Sequence, residues 1–253
     1  MEAVNQGAPS VGLKSKEYSL LLTHNRLISK FSEPQRKILQ VDDSIAVAIS
    51  GLTSDGYVLG SYLTNECIKY KFTNDEAIPI PRLCSRLQLK MQPCTQLYGE
   101  RPFGVGLLII GADSKKTHLF HSCPSANIYE CNAMAIGSRS QSARTHLINN
   151  MKKFENSSLN ELIQHGLYAL RETYRGEDKL EYSNCSVVVI GLNTPFYELD
   201  KETIKSFIDK LTPKKPIDES SDEENPEPET ENVQPTPVVS NVPDDELNDD
   251  MVD

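Results

Sequence analysis

The chain has 253 residues, 38% of them hydrophobic and none of them tryptophan, with a formal net charge of −10. That length can bury a sizeable core, while no apolar run reaches the roughly 18 residues of a membrane-spanning helix and MEAVNQGAPS lacks the basic and apolar regions of a secretory signal. The charge is unevenly placed: 14 of the 36 acidic residues but only two of the 26 Lys and Arg lie between Pro213 and Asp253, leaving a body of 24 basic and 22 acidic residues with no electrostatic footprint for nucleic acid.

In chain order, Met1 to Gln6 is helix-compatible, stopped by Gly7 and Pro9, and too short to be stable alone. Ser10 to Ser15 and Tyr18 to Thr23 read as two strands around a Lys16-Glu17 turn. Lys37 to Val41 and Ser44 to Ser50 form a second pair, separated by Asp42-Asp43. The run Ile45-Ala46-Val47-Ala48-Ile49 is apolar on both sides, as a strand covered on both faces should be. Gly51 ends it. Thr53 or Ser54 can cap a helix from Asp55 to Tyr70, and Ile80 to Met91 is a second helix entered through Pro79 and Pro81.

The stretch from Tyr98 to Leu147 opens with a turn at Gly99 to Gly104 and continues as the apolar strand Val105 to Ile110. A polar turn at Asp113 to Lys116 leads to the strand Thr117 to His121. After Pro124 to Asn127 a third strand should carry Tyr129, Cys131 and Ala133 on one face. Ile136-Gly137 breaks direction, and a helix runs from Arg139 to Lys153. Leu159 to Tyr174 is a helix with a Ser158–Glu161 capping box. Cys185 to Gly191 is a buried strand, Phe196 to Leu199 a short one, and Asp200 to Leu211 an amphipathic helix. This order predicts an α+β protein in which two packed sheets carry helices on both outer faces, a four-layer αββα sandwich. Residues 1–212 form that domain. Residues 213–253, with seven prolines and no apolar periodicity, are expected to be a disordered acidic tail. In it Ser220 and Ser221 (DESSDEE) have the surroundings that acid-directed kinases prefer, beside the simpler reading of a solubilising segment.

Candidate chemistry is sparse. His118 and His121 point to opposite faces of one strand, so a shared metal is not expected; one should be a surface residue and the other half-buried. Cys123 and Cys131 lack further zinc-spaced ligands, and the six cysteines show no CxxC spacing, which suits thiols of a reducing cytosolic or nuclear compartment. Gly104 to Gly106 precedes a strand instead of opening a helix and is a turn, not a dinucleotide fingerprint. Arg139 and Arg144 near a helix start are expected at a subunit contact or a solvated face, with anion binding as the alternative.

RPFGVGLLIIG, the CPSAN turn and the helix start IGSRSQSARTHL, together and in order, resemble the core of the α-type subunits of the 20S proteasome, and the likeness runs in register from Met1 to about Leu211. The resemblance implies the N-terminal-nucleophile hydrolase fold without catalysis. Such an enzyme uses a terminal Thr, Ser or Cys whose own amine acts as base. Aligning Ser10-Val11-Gly12 with the first strand of catalytic subunits puts Ala8 at the nucleophile position and His24 at the supporting acidic one. Lys37, near the catalytic lysine's position, cannot run that mechanism alone, and no cofactor is implied. The partners implied are neighbouring α subunits, β-ring subunits, and the C-terminal tails of regulatory ATPases or other activators, with no nucleic acid and no membrane. In the family a lysine in a KIxxVD-like strand pairs with the tail's terminal carboxylate between adjacent subunits. The match here is Lys37 in KILQVD, with Gly7, Gly51 and Leu52 as walls; an ordinary surface lysine is the alternative. Family members carry a gate-closing tail and most of a first helix ahead of the part that matches Met1, so Met1 to Val4 resembles that helix's last turn.

Two other classes are weighed beside a ring subunit. A self-processing amidohydrolase using Ser10 would expose a new N-terminal Ser or Thr. A binding module acting through the acidic tail on basic partners would lose binding when the residues after Leu211 are removed.

Overall fold

Alternation along the strands fixes the layers. In the computed structural model, which describes residues 1–26, 31, 33–174 and 180–211, Ile45, Val47 and Ile49 of β4 (Ile45–Gly51) share one cluster and Ala46 and Ala48 another. β5 (Val105–Ala112) divides likewise, Leu107 and Ile109 against Leu108 and Ile110. Side chains two apart share a face, so each of these strands must be covered twice. β4 and β5 lie inside a sheet completed by β3 (Ile38–Asp42), β6 (Thr117–Ser122) and β7 (Ile128–Glu130), in the order β3-β4-β5-β6-β7.

The second sheet, ordered β10-β9-β2-β1-β8, contains β1 (Ser10–Lys14), β2 (Tyr18–His24), β8 (Ala133–Ile136), β9 (Cys185–Gly191) and β10 (Thr194–Glu198). All pairings in both sheets are antiparallel. Between the sheets lie Leu21, Ala46, Ala48, Leu108, Ile110, Leu119, Val188 and Ile190, closed at one end by Val4 of α1 (Glu2–Gln6). Beneath α2 (Thr53–Asn74) and α3 (Ile80–Met91) the core includes Leu59, Leu63, Leu83 and Leu87. On the other side α4 (Ser140–Phe154) and α5 (Leu159–Glu172) bury Leu147, Leu162 and Leu167 in a core shared with β1, β2 and β9, and α6 (Lys201–Asp209) adds Ile204 and Phe207 to the same cluster. Each such side chain contributes about 1.5–3 kcal/mol by leaving water. The αββα sandwich expected from the sequence is the observed architecture, and among the described residues no helix is long and apolar enough to cross a membrane.

Several local expectations are corrected. The strand anticipated through Tyr129, Cys131 and Ala133 is two strands in different sheets. The Cys131 amide donates to Leu119 O in the first sheet and Asn132 O accepts from Lys14 N in the second, at 2.9 and 3.0 Å, so the chain changes sheet there. Helix α2 starts at Thr53 with Leu52 as N-cap and no side-chain cap, and the Thr53 hydroxyl accepts from Lys37 Nζ. His118 and His121 are both buried, since β6 is covered on both faces, so neither is the surface residue anticipated. The Ser158–Glu161 capping box does form, with the Glu161 carboxylate accepting from Ser158 N at 3.0 Å. The anticipated tail, with Ser220 and Ser221, lies outside the described residues.

Candidate functional site

At one end of the sandwich, the start of β3, the end of β4 and the end of α1 converge. Gly7 and Gly51 are in such close contact that a Cβ on Gly7 would stand 2.2 Å from Gly51 N. Gly51 has φ +118°, a conformation that L side chains rarely adopt, and a Cβ there would meet Gly104 O at 2.4 Å. Leu52 donates its amide to Gly104 O at 2.9 Å, and its side chain is exposed at the rim. Lys37 enters from the chain before β3. It is buried, and its Nζ donates to Thr53 Oγ1 at 3.2 Å, while that hydroxyl also donates to Gln35 Oε1 at 3.4 Å. Burial first, and the charge of Arg26 second, hold the Lys37 ammonium below its ordinary value. An ammonium has three donors, and among the described residues Thr53 Oγ1 accepts one of them. The four residues singled out from the sequence are thus brought to one place: a lysine, two glycine backbones and an apolar rim residue.

A clamp between residues distant in the chain holds this rim. Arg101 forks onto Asp55, with Nη1 and Nη2 at 2.6 and 2.9 Å from the two carboxylate oxygens, and Gly104 N donates to the same carboxylate at 2.9 Å. Asp55 lies in the first turn of α2 and is buried. The clamp therefore fixes residues 101–104, whose last carbonyl receives Leu52 N. Its members are 46 and 49 residues apart in the chain, and no local pattern links them. The Arg101 hydrogen bond is the main influence on Asp55; against the opposing effect of burial, and with Gly104 N and the Arg101 charge adding to it, it keeps the carboxyl below the usual range. A carboxyl held low when folded contributes stability that is complete above its unfolded value near 4 and is lost as pH falls through the folded one. Asp55→Ala is expected to cost about 2–3 kcal/mol at pH 7 by removing charge-assisted hydrogen bonds and orphaning Gly104 N–H. Urea titrations should show the gap between the two proteins narrowing below about pH 4; a gap unchanged by pH would show that the carboxylate's charge is not its source.

The backbone around Ala8, the position that the resemblance assigns to a nucleophile, is tied on both sides. Ala8 is buried, and its carbonyl accepts from Ser50 Oγ at 3.0 Å. Ser138 N donates to Gly7 O at 2.8 Å, and His24 N to Pro9 O at 3.1 Å. Gly137, with φ +98°, allows this approach, since a Cβ there would lie 2.6 Å from Ala8 O. The His24 ring packs on Tyr174, centroids 5.0 Å apart, and Ser10 Oγ is fully buried. Residue 8 is therefore a mid-chain position pinned on both sides and has no side-chain oxygen or sulfur.

The remaining candidates are internal partners. His121 Nδ1 meets Tyr129 Oη at 2.6 Å, with Cys123 Sγ 3.9 Å from the same nitrogen. Burial, aided by the charge of Arg144, pushes the His121 imidazole down to about 4. Burial pushes the Cys123 and Cys131 thiols up, the latter to about 11, which suits inert thiols over nucleophiles. Arg139 is exposed and its Nη1 donates to Thr173 O at 3.3 Å, while the half-buried Arg144 donates its Nε to Ala135 O at 2.8 Å, so both also tie the chain to itself. Gly104 to Gly106 is not the turn anticipated: Val105 and Gly106 already belong to β5, and Gly104 immediately precedes it. Among the described residues no group of three or more His, Cys, Asp or Glu could hold a metal ion.

Comparison with known proteins matches residues 4–190 to the proteasome subunit family. The chain is 41% identical over 212 residues to "Proteasome subunit alpha type-1" of Dictyostelium discoideum, covering 83% of this chain and 86% of that one. It is 44% identical over 200 residues to the Drosophila melanogaster protein of that name, covering 78% and 71%. For the Caenorhabditis elegans protein of that name the figures are 38% over 211 residues, covering 83% and 81%.

Proposed function

This chain belongs to the proteasome subunit family, and from that premise we propose that it is a non-catalytic α-type subunit of the outer ring of the 20S core particle, serving assembly, substrate entry and docking of regulatory particles in ubiquitin-dependent and -independent protein degradation. The observation that carries the reading is the match to relatives named alpha type-1 in three organisms, over 200 to 212 residues at 38–44% identity. The absence of catalysis is supported by Ala8, buried and mid-chain where a nucleophile would stand. Assembly with other proteasome subunits follows from family membership. The finer partner, the C-terminal tail of a regulatory ATPase or another activator, is supported by the Lys37 site: a terminal carboxylate in a partly dry pocket needs a fixed cation, and Lys37 is a buried one whose ammonium, among the described residues, is engaged by Thr53 Oγ1 alone. Cytoplasm and nucleus are the compartments we propose, in keeping with six free thiols.

Native mass spectrometry of the chain, tagged at its C-terminus and isolated from its own cells, tests the reading. Recovery inside stacked rings with other proteasome subunits is expected. Recovery as a free, unprocessed monomer would overturn it, and a new N-terminal Ser or Thr would restore the enzyme alternative. In assembled particles, Lys37→Ala is expected to weaken an activator tail peptide about 10- to 100-fold, the worth of one hydrogen-bonded charge. A carboxylate favours the charged lysine, so affinity should fall as pH rises through the lowered Lys37 value. Fluorescence anisotropy across alkaline pH reads both effects; an unchanged Kd in the variant would leave Lys37 a structural residue.

A further inference from the structure

At the end of the sandwich away from Lys37 is a fully buried imidazole flanked by carboxylates. His118 of β6 is 0% exposed. Its Nε2 lies 3.0 Å from Asp113 Oδ2 in the β5–β6 turn, and its Nδ1 lies 3.2 Å from Glu130 Oε1 of β7. Phe120 stacks beside it with centroids 5.8 Å apart. Each carboxylate has other partners. Asp113 Oδ1 accepts from the amides of Lys115 and Lys116, both at 2.9 Å. Glu130 pairs with Lys14 of β1 at 2.7 Å and Lys116 at 3.5 Å. The charged or titratable groups facing the arrangement are therefore Asp113 and Lys116 of the turn, Glu130 of β7 and Lys14 of β1, with the thiols of Cys84 on α3 and Cys131 beside Glu130.

A neutral imidazole has one N–H and one lone pair. With a carboxylate oxygen on each nitrogen, the neutral ring would set its lone pair against one of them, which in a buried site is an unpaired and repulsive contact. Only the ring bearing both protons donates on both sides. We propose that His118 is a charge-operated latch: the doubly protonated ring holds the β5–β6 turn against β7, and loss of either proton releases one side. The turn also walls an open cavity of about 700 Å³, together with Asp43, Ile80 and Asn193, so the latch sets the shape of that groove. Release has an acid counterpart. Burial opposes ionisation of Asp113, but the His118 hydrogen bond and the Lys116 and Lys115 amides outweigh it and hold the carboxyl down to about 2. Its share of the stability is complete above about pH 4 and is lost between about 4 and 2.

The test uses the full-length chain. Nitrogen-15 NMR of the His118 ring reads its proton count directly, and amide hydrogen exchange, corrected for intrinsic rates, reads the turn. The expected result is a ring with both nitrogens protonated while Lys115 and Lys116 are protected. A fall in that protection of about tenfold or more should accompany loss of a ring proton. In His118→Gln, which carries no ring proton and donates to one side, that coupled step should disappear. A ring with a single proton while the turn stays fully protected would overturn the latch, and so would an unchanged step in His118→Gln. Should that variant fail to fold, the NMR and exchange data on the unsubstituted chain decide alone.

Discussion

Gly51→Ala is expected to lower the stability of the chain by more than about 3 kcal/mol, whereas Gly99→Ala should cost only about 1. Both glycines have positive φ, +118° and +84°, so both substitutions incur the backbone penalty of about 1–2 kcal/mol for an L residue there. The difference lies in the surroundings. At Gly99 a new Cβ has nothing within 4 Å, while at Gly51 it meets Gly104 O at 2.4 Å and Val105 Cα at 3.1 Å. Those are backbone atoms of the neighbouring strand and the loop held by Asp55 and Arg101, and no rotamer change can move them. Relief requires parting β4 from β5 at Gly51–Val105, the last pair of their register, and that disturbs the Lys37 rim. Urea unfolding of both variants measures the contrast. Losses within about 1 kcal/mol of each other would mean that φ alone, and not the close approach, governs the cost.

Leu119→Ala is expected to cost about 2–5 kcal/mol, the range for a fully buried leucine whose site cannot collapse. Leu119 is 0% exposed in the layer between the sheets, and its Cδ1 is 2.7 Å from the place a Cβ on Gly12 would occupy. Gly12 is therefore the recess into which Leu119 fits, with Leu108 Cδ1 3.5 Å from the same point. Gly12→Val alone should overpack the layer and cost about 1–3 kcal/mol. The double variant should lose less than the two single losses together, because the valine enters the cavity the leucine leaves. Additivity would mean that the sheets do not transmit volume between these two residues.

The layers are legible because whole strands are apolar on both faces. Ile45 to Ile49 is apolar on both sides, and it is covered on both. The helix stripes and the Ser158–Glu161 box have a short period that lies within the sequence itself. Lys37, Gly7, Gly51 and Leu52 were found through motif resemblance, and the structure gathers them; no periodicity would have done so. What stayed hidden depends on residues distant in the chain. The Asp55–Arg101 clamp needs α2 and the segment before β5 to meet. The burial of His118 depends on which face α3 covers. The change of sheet between Glu130 and Ala133 leaves no mark in an alternating pattern, because a strand that moves to a new partner keeps its period of two.

That change of sheet has a mechanical consequence. One short connection, Cys131-Asn132, joins β7 at the margin of one sheet to β8 at the margin of the other, so along that side the two sheets are bound like pages at a spine. Separating them there would stretch covalent backbone. A longer covalent link, residues 25–37, leads from β2 of one sheet to β3 at the far margin of the other, and the hydrogen bond from Phe196 N to Asp43 O at 2.7 Å crosses between the sheets on that side too. Lys37 is the last residue of that link, so a ligand that pulls on it loads a connection between the sheets and not one sheet alone.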